Sequence, residues 1–142
     1  MLILPADQKI LLTWLIESED IFRQIEKYIT PEDFSEGLFR QVAELLYEQY
    51  DKHEVNPAQI MNHFTDEEEH RQVAGLFHTK IKELTTVKEQ EKASQETILR
   101  VKDHSIEEAT KNLDPTDIQG LQRLMNEKRK MQDLRTLHIS IN

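Results

Sequence analysis

An all-α fold is predicted by three features of the sequence. Apolar residues recur at intervals of three and four through nearly every stretch, which is the period of a helix face. Three glycines and four prolines are too few to turn a chain of 142 residues every ten positions, as a many-stranded fold requires. Three of those prolines also follow a capping residue directly, in Thr30-Pro31, Asn56-Pro57 and Asp114-Pro115. A capping side chain accepts from free amides of the first turn, and proline suits a helical position that needs no amide. The expected architecture is an N-terminal compact helical bundle of five to six helices, followed by a long helix and a C-terminal helical hairpin. The division falls between residues 1–82 and 83–142.

The elements follow in order. ADQKILLTWLIE, residues 6–17, predicts a short apolar helix with Ile10, Leu11, Trp14 and Leu15 inward, and Leu12 and Ile16 as further candidates. Ser18 caps a second helix, with Glu19 and Asp20 in its first turn and Ile21, Phe22, Ile25 and Tyr28 as its apolar side. Pro31–Phe34 predicts a single turn. A helix over about 36–52 is expected to bury Leu38, Val42, Leu45, Leu46 and Gln49, with Phe39 and Tyr50 on its flank. Asn56-Pro57 opens a short helix carrying Ala58, Ile60, Met61 and Phe64. Thr65-x-x-Glu68 matches a capping box and starts a helix to about Thr79, with Val73, Leu76 and Phe77 buried. All nine aromatic residues lie before residue 80, so this part can build a core of its own.

Composition changes after residue 82. From Lys82 to Leu113 there is no aromatic residue, proline or glycine. The apolar positions thin to Leu84, Val87, Ile98, Val101, Ile106, Ala109 and Leu113, a narrow stripe on a helix over 84–113. Such a helix would be about 45 Å long at 1.5 Å per residue. Ser105-x-x-Glu108 also matches a capping box, but nothing nearby breaks a helix, and continuity is expected. Asp114-Pro115 opens the last helix, 115–136, with Ile118, Leu121, Leu124, Met125, Met131 and Leu134 on one side. Gly120 within it marks either a close approach or a tolerated substitution. A two-helix hairpin with one stripe per helix buries little by itself. It either folds back on the aromatic body or completes its packing on another protein.

Charge and composition exclude several functions. The net charge of −9 argues against strong direct nucleic-acid binding. Residues 114–142 hold five basic and four acidic residues against thirteen and twenty-three before them, so the chain carries −10 up to that point and +1 after it. An acidic body with a mildly basic end suits a protein partner. With no cysteine there is no disulfide or thiolate zinc site, which fits a cytoplasmic protein. MLILP is too short for a signal peptide, and no apolar run approaches the roughly 18 residues that span a membrane.

Little in the sequence carries catalytic chemistry. Glu67-x-x-His70 resembles half of a di-iron bundle motif, but no second Glu-x-x-His accompanies it. Glu67, Glu68 and Glu69 are favoured in the first turn of a helix in any case. His63, His70 and His78 read as surface histidines across a helix boundary. Gly37, Gly75 and Gly120 build no phosphate loop, and no serine or cysteine nucleophile motif occurs. Lys128-Arg129-Lys130 complements the end of its helix as readily as it would touch a phosphate. No cofactor and no metal site is expected.

The order of ADQKILLTWLIES and EDIFRQIEKYITPEDFSEGLFRQVAELLYEQYDKHEVNPAQI resembles the helical bundle at the C-terminus of bacterial DnaG-type primases, the domain that binds the replicative DnaB-type helicase. EKASQETILRVKDHSIEEATKNL and IQGLQRLMNEKRKMQDL look like its connecting helix and terminal hairpin. The resemblance spans nearly the whole chain and rests on order and length, since each motif is a pattern of apolar spacing. It implies a non-catalytic domain of a longer primase, which docks on the N-terminal domain of the helicase and couples RNA primer synthesis to unwinding in the primosome. Residues 1–82 would modulate the helicase, residues 83–142 would grip it, and the domain alone would be a monomer. By pattern, the family's hairpin positions fall on Leu121, Leu124, Met125, Lys128, Met131 and Leu134. Leu124, Lys128 and Arg129 are expected to touch the partner, with Met131 next. Two alternatives stay open: the N-terminal collar domain of a helicase, which shares the fold and serves ring oligomerisation, and a metal-dependent helical-bundle enzyme.

Overall fold

A computed structural model describes residues 6–35, 37–78 and 86–141. They form seven α-helices: α1 (Ala6–Glu17), α2 (Glu19–Ile25), α3 (Leu38–Asp51), α4 (Pro57–His63), α5 (Glu67–His78), α6 (Val87–Lys111) and α7 (Ile118–Thr136). A 3-10 turn, Pro31–Asp33, lies between α2 and α3. The described residues contain no strand. The fold is all-α: a bundle of five helices, then a long helix that forms a hairpin with the last one. No helix among these residues is long and apolar enough to cross a membrane.

α1 is the hub of the bundle. Leu11, Leu12, Trp14 and Leu15 are buried together with Gln8 and Thr13, so the helix is covered on most of its circumference, by α2, α3, α5 and α6. The polar pair is satisfied: Thr13 Oγ1 donates to the Lys9 carbonyl within the helix, and Gln8 exchanges two hydrogen bonds with Ser35. Ile10, expected inward, is exposed, because the neighbours cover the Leu11–Leu15 side.

Most of the expected caps form. Ser18 Oγ accepts from the Ile21 amide, and Asn56 Oδ1 accepts from the Gln59 amide. The Thr30 amide donates to Asp33 Oδ2 at 2.9 Å, closing the 3-10 turn. The cap of α5 moves by one residue. Asp66, not Thr65, accepts from the Glu69 amide, since the helix starts at Glu67. On α3 the buried face is Phe39, Val42, Ala43, Leu46, Gln49 and Tyr50, so Phe39 and Tyr50 are core and Leu38 and Leu45 are its rim. Phe22 stacks on Tyr50 at 4.3 Å between ring centroids, and the Tyr50 hydroxyl donates to the Leu15 carbonyl. Burial pushes the Tyr50 hydroxyl up to about 12. α3 ends in a Schellman pair: the Glu54 amide donates to the Gln49 carbonyl and the His53 amide to the Tyr50 carbonyl. His53 stands at φ 57° to allow it.

α6 is one continuous helix through Ser105, as expected, and begins at Val87 with Thr86 Oγ1 capping the Glu89 amide. Leu84 and Thr79, expected in helices, lie outside the described residues. α6 buries Gln90, Ser94, Thr97, Ile98, Val101 and Lys102, chiefly against α1. The stripe is therefore mostly polar over its first half. Ser94 and Thr97 are small, and each hydroxyl donates back to its own helix, to the carbonyls of Glu91 and Ala93.

The hydrophobic core crosses the expected division at 82/83. It joins Trp14 and its neighbours to Ile98, Val101, Leu134, Ile139 and Ile141. The hairpin is thus not without partners along its length. Its near half is built into the body, and only its far half stands clear: α6 residues Glu107–Lys111 are all exposed, and Ala109, expected in the stripe, is among them.

Candidate docking face on the hairpin

The turn between α6 and α7 differs from the expected restart at Asp114-Pro115. Asp114 Oδ1 accepts from the Thr116 amide and hydroxyl, which makes a local turn. α7 begins three residues later, at Ile118, where Asp117 Oδ1 accepts from the Gly120 amide at 3.0 Å. That cap explains the glycine. A Cβ on residue 120 would stand 2.5 Å from Asp117 Oδ2 and 2.8 Å from Leu113 Cδ1. The close approach is made by the cap itself and by Leu113 across the turn.

α7 has two faces that do different things. At about 100° per residue, Gly120, Leu124, Glu127, Met131 and Leu134 fall on one side, and this side rests on α6. Ile118, Leu121 and Met125 fall about a third of a turn away. They are exposed, at 69%, 39% and 66% respectively. Exposed Lys128 and Arg129 continue the same side after them. The result is an apolar stripe of two turns that runs into a basic pair, on the far half of the hairpin.

The sequence-predicted contact residues divide between these faces. Leu121, Met125, Lys128 and Arg129 are exposed and grouped. Leu124 and Met131, expected to touch a partner, are only 8% and 7% exposed. They are used inside the hairpin, because the seam with α6 needs one residue per turn and theirs is the row that meets it. Ile118 belongs to the exposed stripe in their place.

A polar node missed by the sequence reading fixes the hairpin to the body. Lys102 on α6 is 0% exposed. Its ammonium donates to Asp33 Oδ1 (3.1 Å) and Oδ2 (3.3 Å) on the 3-10 turn, and to Glu127 Oε2 on α7. Ser105 Oγ also donates to Asp33 Oδ1, at 2.7 Å, and Lys130 pairs with Glu127 Oε1 at 3.3 Å. A buried ammonium has three donors to place, and here they reach two carboxylates on two other elements. Burial pushes the Glu127 carboxyl up, but the Lys102 and Lys130 ammoniums outweigh it, and the net shift is downward. The signal was present in the sequence as Lys102 at four residues from Ile98, on the buried side of α6.

Little else resembles a reaction centre. Glu67 and His70 are both exposed on α5, and among the described residues no three metal-ligating side chains gather. A depression of about 220 Å³ between α3 and α4, lined by Leu45, Gln49, Ile60 and His63 among others, is below the usual size of a ligand pocket. Its Glu48 and Lys52 are paired with each other at 2.8 Å. Comparison of the chain with protein-family models, curated proteins and solved structures gives no match.

Proposed function

We propose that this chain is a non-catalytic docking module of the primase type, which binds the N-terminal domain of a DnaB-type replicative helicase through the far half of its hairpin. In that role it holds primer synthesis at the site of unwinding. The observation that carries the reading is the row Ile118, Leu121 and Met125, exposed on one side of α7 and followed by Lys128 and Arg129. The other side of the same helix is already filled by α6, so the row is surplus to the fold. An amphipathic helix with such a row suits an apolar groove with an acidic edge. The order and lengths of the helices support the partner, through the resemblance to primase C-terminal bundles.

The test is binding of the intact chain to the cognate helicase, followed by titration calorimetry. Met125→Asp is expected to weaken the complex by tenfold or more while leaving the helical circular dichroism unchanged, since Met125 is exposed. Undiminished binding by Met125→Asp and Ile118→Asp together would sink the reading. Light scattering of the free chain distinguishes the collar-domain alternative. A monomer is expected, and a dimer that Met125→Asp dissociates would move the assignment to ring oligomerisation.

A further inference from the structure

Residues 137–141 follow α7 as an extended strap, and their side chains alternate. Ile139 and Ile141 are buried in the main core, 2% and 8% exposed, while His138 and Ser140 point outward. The strap crosses between α2 and α6. At Ser140 and Ile141 its main chain is gripped by side chains of both helices, while the Leu137 amide still donates to the Asp133 and Leu134 carbonyls of α7. Gln24 of α2 donates from Nε2 to the Ser140 carbonyl (2.8 Å) and accepts at Oε1 from the Ser140 amide (2.9 Å). On α6, Glu91 Oε2 accepts from the Ile141 amide at 2.7 Å, and Gln95 Nε2 donates to the Leu134 carbonyl at 2.8 Å, just before the strap begins.

This is how a peptide site reads a ligand. A primary amide that takes both the N–H and the C=O of one residue recognises extended backbone whatever its side chain, and two aliphatic pockets at alternate positions supply the selectivity. We propose that the channel between α2 and α6 is a capture site for an extended peptide with aliphatic residues at alternate positions, and that residues 137–141 fill it in cis as a displaceable ligand. The site lies on the body, and it stands whether or not the hairpin tip docks on a helicase.

The test uses the full-length chain and a fluorescent peptide of residues 136–141 (TLHISI). In wild type, the tethered strap competes at an effective concentration in the millimolar range. A peptide that binds the vacant channel at about 10 μM should therefore bind wild type about 100-fold more weakly. Ile139→Glu expels the strap and is expected to bind the peptide, and adding Gln24→Leu to it should abolish that binding. Equal binding to wild type and Ile139→Glu, or no binding to an Ile139→Glu chain that keeps its helical dichroism, overturns the proposal. Should Ile139→Glu fail to fold, Gln24→Leu alone decides by amide hydrogen exchange. Gln24 is half-buried, and its loss is expected to speed exchange at Ser140 and also at Ile141 by tenfold or more, though the Ile141 acceptor Glu91 is untouched. Exchange at Ile141 that stays at the wild-type rate overturns the strap as a unit that releases together.

Discussion

The two halves of one hairpin are made to different specifications. In the near half, Leu134 is 1% exposed, Lys102 is sealed between two carboxylates, and the chain continues into a core segment. In the far half, only Gly120 and Leu124 of α7 are buried, and the turn is closed by Leu113 against Gly120 and by the Asp117 cap of α7 itself. Burial in the first half is what fixes the hairpin, so the second half is free to leave apolar side chains in water. A helix that must both anchor and recognise can separate these tasks along its length and around its axis. α7 does both.

Four substitutions sharpen or break that contrast. The largest effect is expected for Lys102→Ala, which leaves Asp33 buried without its cation. Removing one member of a buried ion pair costs about 3–5 kcal/mol, and urea unfolding should show it. A loss under about 1 kcal/mol would mean that the node does not anchor the hairpin. Next, Leu134→Ala should cost about 2–5 kcal/mol as a buried leucine truncated, while Met125→Ala stays within about 0.5 kcal/mol as a surface change. Equal losses at the two positions would erase the distinction between the halves. The smallest effect concerns acid. Because the Glu127 carboxyl lies below its ordinary range in the folded chain, its contribution is complete above the unfolded pKa near 4.3 and disappears as pH falls through the lower folded value. Glu127→Gln should therefore lower stability at pH 7 and flatten its fall between about pH 5 and 3, as followed by thermal unfolding at each pH.

The helices and their caps were legible because they depend on neighbours in sequence. Ser18, Thr30-Pro31 and Asn56-Pro57 each announce a start through a bond spanning three residues. Where two candidate caps compete, local signals mislead. Thr65 and Asp66, or Asp114 and Asp117, differ only in which amide the tertiary fold leaves free. The buried side of α6 was hard to read for another reason. Gln90, Ser94, Thr97 and Lys102 are polar, and a search for apolar spacing passes over them, although their bonds are made within the fold. The contact residues on α7 shared one pattern with the seam residues, and only the partner helix separates Leu124 from Met125. The strap had no signal of its own. Five residues without a turn motif acquire their conformation from Gln24 and Glu91, 116 and 50 positions from the residues they hold.

The position of Lys102 also makes α6 a lever. Nine residues of helix, about 14 Å at 1.5 Å per residue, extend from that fulcrum to Lys111, and the last five of them are exposed. A tilt of about 10° there carries the tip through about 2 Å, enough to bring Ile118 into or out of register with a groove on another molecule. Strain applied at the tip returns along the same arm, and arrives at Asp33 in the heart of the bundle.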